Sequence, residues 1–132
     1  MLNVHWSYKP CFTSINQVIF NLLFLRCLLL NKLDLSNCAI RAAGSLSLCE
    51  AMLECAQMAY LNLSNCQLGA AGIQPFARTV IATHQHLTTL DLSGNSIGYK
   101  GAQHLGEALR RNRQAFHIHK LFVYVVMFIA FC

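Results

Sequence analysis

The stretch LTTLDLSGNSIGYKGAQHLGEAL, Leu87 to Leu109, decides the fold. It sets Leu87, Leu90, Leu92, Asn95 and Ile97 in the spacing LxxLxLxxNxL and follows them with a helix-patterned segment. The pattern recurs at Leu30, Leu33, Leu35, Cys38 and Ile40, and again at Met58, Leu61, Leu63, Cys66 and Leu68. Three copies therefore follow one another with a 28/29 period, from Leu33 to Leu61 to Leu90. A regular self-match at such a period outranks any single-residue signal, because each unit is one supersecondary element that buries its apolar face only against its neighbours.

Around these copies the composition is uneven. The 132-residue chain is 55% hydrophobic and 11% charged, against about 45–50% and about 25% in ordinary soluble proteins. The formal charge of +5 divides as +2 in residues 1–29, −1 in residues 30–109 and +4 in residues 110–132. Basic residues thus gather at the ends and form no continuous groove along the array, which argues against a nucleic-acid partner. About three units is also the minimum for a stacked core, so this is a short array.

Each copy reads as a strand followed by a helix. Alternation at Leu33 and Leu35 gives a short strand with both side chains on one face. Gly44 marks the turn into a helix whose apolar residues Leu46, Leu48, Cys49, Met52 and Leu53 recur at helical spacing, with Glu50 and Glu54 on a solvated outer face. No nucleophile or metal ligand accompanies that carboxylate pair, so it offers no acid–base chemistry. In the second copy Gly72 and Phe76 replace Gly44 and Leu48, and Pro75, tolerated in a first helical turn, is expected to locate the helix start. His84 and His86 fall in the following connection and are expected to face solvent. Asn62-Leu63-Ser64 matches a glycosylation triplet but lies within the predicted strand, where a glycan has little room. The third copy places Ala102, Leu105, Ala108 and Leu109 on the inward helix stripe, and Arg110, Arg111 and Arg113 at the helix C-terminus, where the macrodipole favours cations.

Seven cysteines raise the question of disulfides or zinc, and their spacings support neither. There is no CxxC, and structural zinc sites cluster four ligands at short intervals. Cys38 and Cys66 hold equivalent places in successive units, roughly 5 Å apart if their strands pair, a separation that permits a disulfide. Small buried thiols facing the core are the better reading. A reducing, cytoplasmic location follows as an expectation.

The ends depart from the pattern. Val18 to Leu30 is apolar enough for a signal sequence, but Arg26 interrupts it and no small-x-small cleavage site follows. Projection of the period backwards puts Val4 at the level of Leu33, and Ile19, Leu22 and Leu23 at the levels of Leu48, Ala51 and Met52. Ser14 and Gln17 form an S-x-x-Q capping box ahead of that helix. Residues 1–29 are accordingly expected to form a degenerate first repeat or cap in which Trp6 and Phe12 pack. Beyond the array of residues 30–113, residues 114–132 form an apolar tail. Ile118, Leu121 and Val123 fit one more strand pattern, with Leu121 in the place of Leu90, but at a longer step than the earlier copies and without a following Asn or turn glycine. As a helix, the twelve uncharged residues from Leu121 would span about 18 Å, short of the roughly 30 Å hydrocarbon core. Membrane contact through the tail is thus a minor possibility, and a truncated or alternative terminus is the expectation.

The strand motifs LDLSNC, LNLSNC and LDLSGN, the 28/29 period and a glycine eleven residues after the first strand leucine resemble the ribonuclease-inhibitor-like subclass of leucine-rich repeats. Ribonuclease inhibitor, the sensor ends of NOD-like receptors and Ran GTPase-activating protein share that subclass. The resemblance implies an α/β solenoid with a parallel inner sheet and outer helices. It further implies a non-enzymatic scaffold that binds a protein partner through its inner face, without catalytic residues, metal or cofactor. A GTPase-activating or regulatory module of the Ran type is the alternative. On this arrangement the inner-face side chains stack in three rows: Lys32, Tyr60 and Thr89; Asp34, Asn62 and Asp91; Ser36, Ser64 and Ser93. Tyr60 is the sole aromatic among them, and tyrosine is enriched at binding hot spots. Plain solubility is the competing reading of the Asp and Ser rows.

Overall fold

A computed structural model describes residues 2–5, 30–81, 84 and 86–111. Four parallel strands, β1 (Leu2–His5), β2 (Leu30–Asp34), β3 (Tyr60–Asn62) and β4 (Thr89–Asp91), form one sheet in chain order. Helices α1 (Arg41–Leu53), α2 (Gly69–Phe76) and α3 (Gly98–Arg111) follow β2, β3 and β4, and a π-helical turn at Ala77–Ile81 extends α2. This is an α/β solenoid of short length, as the periodicity implies. The backward projection also holds at the first strand, where Val4 pairs with Leu33. The expectations for Trp6, Phe12, the Ser14/Gln17 box and the residue 114–132 tail lie outside the described residues.

Strand leucines and helix stripes build one continuous core. Leu33, Leu35, Leu61, Leu63, Leu90 and Leu92 point from the sheet onto Leu48, Met52, Ile73, Phe76 and Leu105 from the helices. Burial at the rate of about 25 cal/mol per Å² of apolar surface supplies the drive to stack. Neighbouring helices approach closely where side chains are absent. A Cβ on Gly72 would lie 3.2 Å from the Ala42 Cα, and one on Gly101 would meet Ile97 and the Ala70 backbone.

That observation corrects the role expected of these glycines. Gly44, Gly72 and Gly101 sit inside the helices, and the entry turns are at Arg41, Gly69 and Gly98, with φ of 59°, 59° and 62°. Pro75 likewise lies near the end of α2 instead of its start. Proline lacks the N–H that would continue the α ladder, and the chain passes into the π-helical turn, with the Thr79 hydroxyl donating to Pro75 O at 2.8 Å. Leu46 and Leu53 are 56% and 49% exposed, not inward. The buried side of α1 combines Leu48, Cys49 and Met52 with the small residues Gly44, Ser45 and Ala51, and this leaves Leu46 and Leu53 outside the stripe. His84 is buried and only His86 is exposed, because the His84 N–H still bonds to Val80 O at 2.9 Å and holds the residue against the turn.

Candidate functional site

Sheet register brings the inner-face residues together in the rows read from the sequence. Lys32, Tyr60 and Thr89 are neighbours across β2, β3 and β4, as are Asp34, Asn62 and Asp91. Successive strands stand roughly 4.8 Å apart, so the first two rows make one small patch. Lys32 and Thr89 are exposed and Tyr60 is half-buried between them. The Lys32 ammonium lies over the Tyr60 ring, 4.4 Å from its centroid, a cation–π contact that ties the two side chains together.

The second row does structural duty that sequence reasoning did not foresee. Asp34, Asn62 and Asp91 each accept through Oδ1 from the backbone N–H two residues on, that of Ser36, Ser64 and Ser93, at 3.0, 3.0 and 2.9 Å. These are Asx turns, which bend the chain out of the strand. The Asn62 amide also donates to Asp34 Oδ2 at 3.3 Å. Much of this row's polar capacity is therefore spent inside the fold. Among the described residues the first row carries no comparable backbone bond through its side chains, except at its margin, where the Thr88 hydroxyl donates to Ala59 O.

Beneath the sheet edge, one asparagine locks two repeats together. Asn95 is 2% exposed. Its Oδ1 accepts from Cys66 N–H and Leu68 N–H at 2.9 and 3.2 Å, and its amide donates to Leu63 O, Leu92 O and Ser93 O at 2.7, 2.9 and 3.3 Å. Cys66, the equivalent residue one repeat earlier, donates its thiol to Leu35 O at 3.1 Å. Burial pushes the Cys66 thiol up to about 11, and burial also raises those of Cys38 and Cys49.

Cys38, Cys49 and Cys66 are free thiols, so the equivalent pair Cys38 and Cys66 is not bridged. Cys55, however, is disulfide-bonded. The expectation that no cysteine pairs fails there. Spacing can expose a CxxC or a repeat-equivalent pair, but connectivity between distant cysteines has no such signature.

A family model described as Leucine Rich repeat matches residues 26–49, 58–77 and 83–106, together just over half of the chain. The chain belongs to the leucine-rich repeat family. Each of the three matched segments takes in a strand and part or all of the helix that follows it. No curated protein matches the sequence. Leucine-rich repeats mark a protein–protein interaction module. Among the described residues there is no helix long and apolar enough to cross a membrane and no cluster of potential metal ligands.

Proposed function

We propose that this leucine-rich repeat protein is a non-enzymatic scaffold that binds a protein partner through its concave face, with Tyr60 at the centre of the contact. The observation that carries this reading is the cation–π pair of Lys32 over Tyr60. It presents a large, orientationally fixed aromatic side chain in the middle of the sheet, with little rotamer entropy left to lose on binding. Lys32 on one side and Asp91 one row away give the patch mixed charge, which suits a polar, hydrogen-bonding partner surface. Ser36, Ser64, Ser93, Thr89, Asp34 and Asn62 complete the contact surface around that anchor. The competing surface is the basic end of α3 at Arg110 and Arg111.

We further assign the repeats to the ribonuclease-inhibitor-like subclass, on the 28/29 period and the helix that follows each of the strands β2, β3 and β4. A photoreactive amino acid placed at Thr89 on the concave face, and separately at Gln103 on exposed α3, tests the binding surface. Partner adducts should form from position 89 and be lost on Tyr60→Ala. Adducts that form only from position 103 contradict the proposal.

A further inference from the structure

The charged groups in the rows of the concave face are not equally engaged. There are three of them, Lys32, Asp34 and Asp91, so the rows carry +1 and −2, a net −1. The Lys32 ammonium lies over the Tyr60 ring. The Asp34 carboxylate accepts from Ser36 N–H through one oxygen and from the Asn62 amide through the other. Asp91 accepts from Ser93 N–H through Oδ1 at 2.9 Å. Its second oxygen takes no hydrogen bond and no ion pair among the described residues, because the neighbouring Asn62 gives its amide to Asp34 on the other side. The Tyr60 and Thr89 hydroxyls make no hydrogen bond there either. Tyr60 stands opposite Thr89 across β3 and β4, and Thr89 and Asp91 share the same face of β4 about 6.6 Å apart along the strand. The free oxygen of Asp91 and the two hydroxyls therefore gather on the β4 side of the face.

A carboxylate oxygen only accepts, so its complement is a donor, and the net −1 of the rows calls for a cationic one. Lys32 does not fill that place, since it stands two strands away on β2, roughly 9.6 Å off, with its charge on the tyrosine ring. We propose that Asp91, Thr89 and Tyr60 receive an arginine side chain of the protein partner; this rests on the concave-face reading above and names the chemistry of the contact. A guanidinium presents five donors in a planar fork and no acceptor, enough to engage Asp91 and Thr89 together, and its flat surface suits contact with the Tyr60 ring. It is also more weakly hydrated than an ammonium, which favours it beside the half-buried Asp91.

Titration of N-acetyl-arginine amide into the full chain, followed by amide NMR, tests this, with the lysine and the neutral citrulline counterparts alongside. The arginine compound should give saturable shifts at the Thr89 and Asp91 amides, with the lysine compound weaker and citrulline weaker by about tenfold or more. Asn62 forms the same Asx turn with an amide oxygen, so Asp91→Asn keeps the turn while removing the charge. It should leave the melting temperature unchanged and weaken arginine binding about tenfold, against less than about threefold for Asp34→Asn. Equal losses from the two variants, equal binding of lysine or citrulline, or shifts confined to Glu50, Glu54 and Glu107 on the helices overturn the proposal. The photoreactive residue at position 89 reads the concave face independently of Asp91. Partner adducts that are lost on Tyr60→Ala but unchanged by Asp91→Asn overturn the arginine assignment and leave the concave-face reading standing.

Discussion

Replacing Asn95 with alanine removes the side chain that joins the last two repeats. Two buried backbone N–H groups, those of Cys66 and Leu68, lose their acceptor, and Leu63 O loses a donor at 2.7 Å. An orphaned buried donor costs about 1–3 kcal/mol, so the two together amount to roughly 2–6 kcal/mol before any relaxation. A domain has about 5–15 kcal/mol in total, which makes this a large fraction of the stability. With a urea dependence of about 1–3 kcal/mol per molar, the midpoint followed by circular dichroism should fall by roughly 2 M. A fall of less than about 0.5 M would refute the reasoning, because it would mean that water or relaxation replaces those bonds at little cost. The equivalent change Cys66→Ala deletes only thiol contacts and should cost less. Cys66→Asn should stabilise, since it offers Cys38 N–H and Ile40 N–H the acceptor that Asn95 gives their counterparts.

Other outcomes follow from individual residues. Leu63 is fully buried, so Leu63→Ala should cost about 2–5 kcal/mol in the same urea experiment; an unchanged midpoint would remove Leu63 from the core. Arg41 holds a φ of 59° where the next two repeats have glycine. Since a left-handed conformation costs a side-chain-bearing residue about 1–2 kcal/mol, Arg41→Gly should raise the melting temperature and Gly69→Ala should lower it. No atom lies within 4 Å of a Cβ at Gly69, so that second change reports backbone conformation alone. The Cys66 thiol, raised from 9.0 to about 11 in the folded protein, binds its proton more tightly folded than unfolded. Its stabilisation is fully present below pH 9 and is lost as pH rises towards 11, so stability should decline over that window, and iodoacetamide near neutral pH should label Cys66 only after denaturant is added.

The strand half of each repeat was legible because a period of two and a fixed repeat length together specify register. Tyr60 opposite Lys32 and Thr89, and Val4 opposite Leu33, are consequences of counting. The helix half was less legible. Leu46 and Leu53 look like core in a hydrophobicity stripe, yet the buried side combines Leu48, Cys49 and Met52 with the small residues Gly44, Ser45 and Ala51 and leaves them outside. Pro75 is ambiguous in the sequence, because a proline near a helix end leaves the same local trace as one near a start until the partner of each N–H is known. Within the candidate site, the sequence grouped the residues of the two strand rows correctly but could not separate their roles. The Asx turns of Asp34, Asn62 and Asp91 depend on a local backbone bend that residue identity alone does not reveal.

Binding through the concave face is most directly tested by the affinity of a partner, identified by crosslinking from position 89, for three proteins: the unmodified chain, Tyr60→Ala, and the combined alanine variant of Arg110, Arg111 and Arg113. Isothermal titration at two salt concentrations separates the contributions, since binding to the basic helix end would weaken sharply with ionic strength. A concave site predicts a loss of at least about 1 kcal/mol confined to Tyr60→Ala, with little dependence on salt. A loss confined to the arginine variant would contradict it and place the functional surface at the end of α3.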